Sequence, residues 1–451
     1  MNPSRLYFVT KSQFLLQRLT EFVSYKYNFY KGDLVIYLDS ANIIQSMKRL
    51  QAYRYELIPN GDQLRDMRRF SGSCRFVYNK ALALQKENHE AGNKFIGYVV
   101  MAAKLPVWKR EAGTAWLKET PSQALQHALK DLEKAFKGFF AKRTGFPRFK
   151  KKGSGDSFRY PEPKQIKLDQ SNNRILLPKL GWLRYRNSRQ ALGQVRNVTV
   201  SQSGGKWFIS IQTQRELEQP LPISTMAIGI DVGIARFATL SNGRYIAPLN
   251  SFKTHQQRLA RYQRRMSRKE KFSNNWKKAK AKVQKIHIAI AHARKDFLHK
   301  TSTTISQNHA LVCIEDLQVK NMSRSSKGNC EQHGKRVKQK SGLNRSIFDQ
   351  GWGEFRRQLD YKVQWNGGIL LAVPPQHTSQ TCPACGHISK ENRQTQAKFL
   401  CVECGYENHA DVVGAINILE RGYRLLARGE SVQSDRSMKQ EPTEVTQAAF
   451  A

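Results

Sequence analysis

The chain has 451 residues, room for about two to four domains, and its 39% hydrophobic content excludes a disordered protein. Its 76 Lys+Arg against 35 Asp+Glu give a net charge of +41, spread along the whole chain rather than held in one tail. Such an excess repels itself unless a polyanion binds it, which puts nucleic acid ahead of a membrane surface as the expected partner. No long amphipathic basic helix beside a hydrophobic anchor supports membrane binding, and no apolar run reaches transmembrane length. Phe14-Leu15-Leu16 is too short for a signal-peptide core, so a cytosolic location is expected, with nucleoid association when bound to DNA.

Residues 1–46 are aromatic-rich and less basic than the rest, with an apolar run at Leu34-Val35-Ile36-Tyr37-Leu38. Met47-Lys48-Arg49-Leu50 reads like a natural beginning. Translation from Met47 and an ordinary N-terminal strand and helix stand level as readings of this segment. Residues 52–58 alternate like a strand, and Asn60-Gly61 signals a turn. From 62 to 90 the spacing of Leu64, Met67, Phe70, Cys74, Val77 and Leu82 predicts a helix, with the basic residues Arg68, Arg69 and Arg75 interspersed. A second helix is predicted over 122–140, started by Pro121-Ser122 and striped by Leu125, Leu129, Leu132, Phe136 and Phe140.

The following stretch holds Lys142, Arg143, Phe146, Arg148, Phe149, Lys150 and Lys151. Aromatics among cations can stack bases and neutralise phosphates, so it is expected to contact nucleic acid rather than to be a solvated linker. Residues 157–213 read as β, with a turn at Asn172-Asn173 and a hairpin about Ser203-Gly204-Gly205. With the early strand they suggest a small β-barrel carrying an inserted helical bundle, closed by Pro220-Leu221-Pro222.

Ala227-Ile228-Gly229-Ile230-Asp231 is a buried strand ending in an acid, continued by a hairpin through 237–246. Residues 252–307 have a helical rhythm, and Arg261, Arg264, Arg265 and Arg268 form a basic face with few compensating acids. Ala310–Glu315 is again a buried strand ending in an acid, 318–342 a flexible basic loop, 348–366 a helix, and 368–373 a strand. Asp411 opens a helix of small residues, and the tail beyond about 428 is polar and expected to be disordered.

Two constellations carry chemistry. Cys382, Cys385, Cys401 and Cys404 form two C-x2-C knuckles fifteen residues apart, each followed by a glycine. Four thiolates so placed make a closed, structural Zn²⁺ site, which the paired glycine knuckles favour over an iron–sulfur cluster. The remaining cysteines, Cys74, Cys313 and Cys330, are scattered, which argues for metal rather than a disulfide framework. The second constellation is Asp231, Glu315 and Asp411. The order hairpin, helix, strand, helix, strand, helix resembles an RNase H-like sheet, in which acids from the first strand, a central strand and a late helix converge on one edge. Converging carboxylates repel unless cations lie between them, and two Mg²⁺ ions with a phosphodiester substrate suit both the acids and the charge.

Ile228-Gly229-Ile230-Asp231-Val232-Gly233, Ile314-Glu315-Asp316-Leu317, Trp352-Gly353-Glu354-Phe355, Thr378–His387 and Asn408-His409-Ala410-Asp411 resemble the TnpB (OrfB) family of insertion-sequence proteins, relatives of the type V CRISPR effectors. The resemblance runs from about 47 to 420. It implies an α/β multidomain chain. A RuvC-like nuclease domain with an inserted zinc ribbon would follow a β-barrel and helical lobe. The implied divisions are 1–46 as an extension, 47–220 as the recognition lobe, 221–374 and 408–422 as the nuclease domain, 375–407 as the ribbon and 423–451 as the tail. It further implies a guide RNA from the element's end, double-stranded target DNA with a short flanking motif, a monomeric protein in the RNA complex, and Asp231, Glu315 and Asp411 as metal-binding acids. The implied activity is RNA-guided DNA cleavage; the alternatives are a guide-directed DNA-binding regulator and a transposase that joins strands. Many relatives carry Arg before the last acid and Asn-Ala-Ala after it, where this chain has Ala410 and Val413-Gly414-Ala415.

Overall fold

A computed structural model describes residues 47–427 apart from 219, 221–223, 225, 330 and 331, with the backbone of Ser46 and of three earlier strands. These strands are β1 (Phe8–Val9), β2 (Tyr25–Tyr30) and β3 (Asp33–Leu38). The apolar run at 34–38 lies in β3, which pairs antiparallel with β2. The rest of the expectation for 1–46, the tail beyond 427 and Cys330 fall outside the described residues. The chain divides into two compact units, one spanning Met47–Leu217 and the other beginning at Glu218.

In the first unit β4 (Ser46–Ile58) leads into α1 (Gly61–Glu90). Asn60 is the N-cap of this helix rather than a free turn. Its side chain accepts from the Gln63 N–H at 2.8 Å and the Gln63 side chain accepts from the Asn60 N–H at 3.1 Å, a reciprocal capping box. Next come α2 (Tyr98–Arg110), which sequence periodicity did not reveal because Pro106 interrupts it, and a 3-10 turn at Ala112–Glu119. α3 (Ser122–Phe140) packs on α1 and buries Leu125, Leu129, Leu132 and Phe136. Phe140 departs from the expected stripe and is 56% exposed. Ser122 does not cap α3; its hydroxyl accepts from Lys109 Nζ at 2.6 Å.

The strands β5 (Ser157–Tyr160), β6 (Lys167–Asp169), β7 (Arg174–Leu177), β8 (Gly181–Tyr185), β9 (Gln194–Ser203) and β10 (Lys206–Glu218) complete this unit. They form with β4 a seven-stranded sheet in the order β5-β9-β10-β4-β8-β7-β6. The β9–β10 turn uses Gly204 and Gly205 at φ 59° and 80°, left-handed values that glycine adopts without steric cost.

The second unit is built on β11 (Ala227–Val232), β12 (Ala238–Leu240), β13 (Tyr245–Ile246), β14 (Leu311–Glu315) and β15 (Ile369–Val373). Their order is β13-β12-β11-β14-β15, antiparallel across the first three strands and parallel across the last three. The helical stretch at 252–307 is two helices, α4 (Ser251–Ser267) and α5 (Asn274–Asn308), broken where Ser273 caps α5. After the short α6 (Val319–Met322), part of the predicted basic loop is helix: α7 (Val337–Gln350). Gly351 at φ 72° then separates it from α8 (Trp352–Trp365), so 348–366 is not one helix. The strands β16 (Lys398–Leu400) and β17 (Glu407–His409) precede α9 (Ala410–Ala427).

Both faces of the sheet are covered, which is why its central strands read as unbroken apolar runs. Ile228, Ile230, Val312 and Ile314 pack with Leu298 of α5 and Phe355 and Leu359 of α8. The alternate residues Leu311, Cys313 and Leu371 pack with Ile418 of α9. Period-two alternation therefore puts Gly229, Asp231 and Glu315 on the α9 side. α9 lies very close there. A Cβ on Gly229 would fall 2.1 Å from the Ala415 carbonyl oxygen, and one on Gly422 would fall 2.1 Å from Cys313 Sγ. Gly229→Ala is expected to destabilise the fold by about 1–3 kcal/mol through overpacking, seen as a lowered melting temperature. An unchanged melt would show that α9 is not seated as described.

Candidate active site

Asp231 is the penultimate residue of β11, Glu315 the last of β14, and Asp411 the second of α9. The parallel register sets Ile230 beside Ile314, so the first two acids emerge together at the C-terminal ends of neighbouring strands. The close crossing of α9 brings the third to the same edge. A Cβ at Gly414 would lie 3.0 Å from Asp231 Oδ2, so the helix's glycine is what leaves room for the carboxylate.

The three charges act on one another. Burial first, then the Glu315 and Asp411 charges, push the Asp231 carboxyl up to about 7 against the opposing pull of the Arg393 guanidinium. Burial also raises Glu315, while the Thr378 hydroxyl and Arg421 act to lower it. Thr378 Oγ1 donates to Glu315 Oε1 at 2.6 Å, and Arg393 Nη2 stands 3.5 Å from Asp411 Oδ1. The Asp411 N–H donates to His409 Nδ1 at 3.2 Å. Thr378 and His409 lie in stretches that carry the family resemblance but had no site role from the sequence, and Arg393 was not singled out; the folded chain brings all three beside the acids.

Because a raised carboxyl pKa means that the folded chain binds the proton more tightly than the unfolded one, this group's stabilising contribution is full below pH about 4 and is lost as pH rises through about 7. In magnesium-free buffer Asp231→Asn is therefore expected to be more stable than the parent by a few kcal/mol at pH 8, with the gap closing toward pH 4. Melting curves across that range check it; a pH-independent gap would contradict the assigned burial.

The four cysteines also converge. All four Sγ atoms lie within 4.8 Å of one another, the only such group of three or more His, Cys, Asp or Glu among the described residues. The three carboxylates, though they interact, do not close to that distance. Cys382 and Cys404 Sγ are 3.6 Å apart, as are those of Cys385 and Cys401. That is too long for a disulfide and close to the edge, about 3.8 Å, of a ZnS₄ tetrahedron with Zn–S bonds of about 2.3 Å. The two knuckles repeat one geometry. Gly386 and Gly405 sit at φ 78° and 72°, and their N–H groups donate to the Cys382 and Cys401 carbonyls at 3.0 Å each. Fully buried Asn392 ties the knuckles together, donating to the Gln380 and His387 carbonyls and accepting from the Val402 N–H. Asn417 of α9 donates to the Thr378 and Thr381 carbonyls, fixing the cysteine module to the helix that carries Asp411.

Residues 198–326 match the OrfB_IS605 family, described as "Probable transposase", residues 352–418 match "Cas12f1-like, TNB domain", and residues 47–94 match "Helix-turn-helix domain". The chain is 60% identical over 402 residues to "Putative RNA-guided DNA endonuclease InsQ" of Escherichia coli (strain K12), which covers 89% of this chain and 100% of that protein. The chain belongs to the TnpB (OrfB) family. A second relative, "Putative RNA-guided DNA endonuclease" of Streptomyces pristinaespiralis, is 34% identical over 418 residues, 90% of this chain and 98% of that one. A solved Cas12f1-sgRNA-target DNA complex aligns over 83% of this chain with a TM-score of 0.48 and 12% identity. The stretch matched as helix-turn-helix folds in this family member as β4 and the single helix α1. Ala410, just before Asp411, is fully buried, and the guanidinium beside Asp411 is that of Arg393.

The basic residues fare unequally. Lys142, Arg143, Arg148, Lys150 and Lys151 are exposed, as are Arg68, Arg261, Arg264, Arg265 and Arg268. Arg75 is instead mostly buried in an ion pair with Asp156 at 2.6 Å, and Arg69 bridges Asp66 and Glu119 at 2.5 Å each. Phe146 packs edge-on against Phe136 and Phe139 while remaining 45% exposed. Phe149 is 46% exposed, with Lys86 Nζ 4.8 Å from its ring centre.

Proposed function

We propose that this chain is an RNA-guided, Mg²⁺-dependent DNA endonuclease in which Asp231, Glu315 and Asp411 are the catalytic and metal-binding acids. The observation that carries this reading is the convergence of the three carboxylates at one sheet edge, where burial and then Glu315 and Asp411 raise the Asp231 pKa. In the strand order β13-β12-β11-β14-β15 we read an RNase H-like (RuvC-like) domain, with residues 375–407 as an inserted zinc ribbon. The 47–217 unit is read as a small β-barrel with its helical bundle inserted between β4 and β5.

The donor set fits Mg²⁺: hard carboxylate oxygens, one of them buried and penalised by its neighbours until a cation offsets the charge. When bound, two Mg²⁺ ions supply water activation on one side of the phosphodiester and leaving-oxygen stabilisation on the other. Asp231, Glu315 and Asp411 would hold the ions, and Asp231 is the acid on which both of the others act. Thr378 fixes the rotamer of Glu315 through its hydroxyl, and Arg393 offsets charge at Asp411. The four-thiolate site is closed, so a Zn²⁺ ion there is structural. Guide RNA from the element's end would read target DNA by base pairing, and the exposed cations would grip the heteroduplex backbone. A single protein copy in the RNA complex, in the bacterial cytosol and on the nucleoid when bound to DNA, completes the reading. No helix among the described residues is long and apolar enough to cross a membrane.

Purified protein carrying its RNA, offered a plasmid with the matching target, is expected to cut it. An uncut plasmid with RNA still bound would leave the DNA-binding regulator in its place. The family's description as a transposase keeps strand transfer as the second reading, and an excision and insertion assay with this protein alone separates it from the nuclease.

A further inference from the structure

Against the residues that flank Asp411 in the chain the fold holds a groove of about 600 Å³, between the β12–β13 turn and the start of α9. Arg236, Asn242 and Tyr245 line one side and His409 and Val412 the other, Val412 directly following Asp411 in the chain. Tyr245 is 59% exposed, and the Arg236 guanidinium lies 4.5 Å over its ring centre. Arg236 makes no salt bridge with any carboxylate among the described residues, although this edge of the domain is acidic. Asn242 turns its Oδ1 to the Arg244 N–H, which leaves its amide N–H groups at the groove's lip.

We propose that Arg236 and Tyr245 form a seat for one unpaired nucleotide of single-stranded DNA, holding the strand as it enters the catalytic edge. An acidic edge repels the phosphodiester it must cut, so the approach needs a cation with no competing acid, and Arg236 is one. A base stacks on the exposed tyrosine face whatever its identity, because every base has a π-surface, while the guanidinium takes the adjoining phosphate. The groove volume is on the scale of one or two nucleotides. Asn242 offers a polar contact at its rim. This inference rests on the nuclease reading for its purpose, but the seat is tested separately from cleavage.

The test is photo-crosslinking. The protein with its copurifying RNA is irradiated with a short oligodeoxythymidylate carrying 5-iodo-2′-deoxyuridine, at a salt concentration that suppresses loose backbone binding, and the adduct is mapped by mass spectrometry. An adduct on Tyr245 is expected, reduced about tenfold by Arg236→Ala and retained, on the phenyl ring, in Tyr245→Phe. Adducts confined to other residues, or a Tyr245 adduct indifferent to Arg236→Ala, overturn the proposal. Melting curves of Arg236→Ala matching the parent show that the loss is not unfolding. Failure of the plasmid assay with the Tyr245 adduct present would count against the nuclease reading and leave the seat standing.

Discussion

Asp231→Ala is expected to lower the rate of target cleavage by about three orders of magnitude or more while leaving RNA retention unchanged. Burial raises the pKa of this acid and both of the others raise it further, so it occupies the centre of the constellation. On the proposed reading Asp231 would be a ligand of both ions, so its removal would take away transition-state stabilisation that no neighbour replaces, and residues acting as a unit lose most of their effect with one member. RNA retention should not fall, because a carboxylate repels a polyanion and its loss leaves +41 of net charge otherwise in place. Misfolding is an unpromising explanation for any loss, since the substitution relieves a buried charge. Copurifying RNA, the melting temperature and plasmid cleavage are read on the same preparation. Equal loss of RNA and cleavage would make Asp231 a structural residue and sink its catalytic assignment.

Cys401→Ser is expected to produce the second largest effect, a loss of folding of the cysteine module together with most of the cleavage. Metal binding contributes folding free energy where a small module has little core of its own. Here the module buries only Cys382, Cys401 and Phe399 among its own apolar side chains, against Ala410 and Val413 of α9. Its two knuckles are otherwise held together by one asparagine, Asn392. The damage reaches the acids because the module supplies Thr378 to Glu315 and Arg393 to Asp411. Zinc content, melting temperature and cleavage should fall together, and a strong chelator should lower the melting temperature of the parent. A variant that lost its zinc yet kept parental stability and cleavage would be inconsistent with a structural ribbon.

Much of the local structure was legible because local rules decided it. The helix at 61–90 follows from apolar spacing, the β9–β10 hairpin from Ser203-Gly204-Gly205, and the cysteine cluster from its two identical knuckles. The misreadings have two causes. Gly351 breaks what periodicity joins, Pro106 sits inside a helix that packing sustains, and Val337–Gln350 is helical in a sequence whose composition suggests a loop. At Gly351 a left-handed glycine ends a helix that apolar spacing would continue, whereas at Pro106 and over 337–350 contacts distant in sequence outweigh a weak local preference. The basic residues divide for the same reason: Arg75 and Arg148 are alike in sequence, and only Asp156, 81 residues beyond Arg75, commits one of them to the fold.

By itself, the sequence determined which residues are available for the chemistry: two acids ending buried strands, a third opening a helix, four cysteines with metal-site spacing and a charge that calls for a polyanion. The tertiary structure alone decided that these acids meet. Alternation puts Asp231 and Glu315 on one face of the sheet, but nothing local states which helix crosses that face or how closely. Gly229, Gly414 and Gly422 look unremarkable in the chain, and they permit a helix to lie against the sheet at a distance that no side chain would allow. That approach sets Asp411 beside Asp231, raises the pKa of the buried acid, and opens the groove where Arg236 rests on Tyr245. Convergence of groups far apart in sequence is a property of packing, and packing is where the site is made.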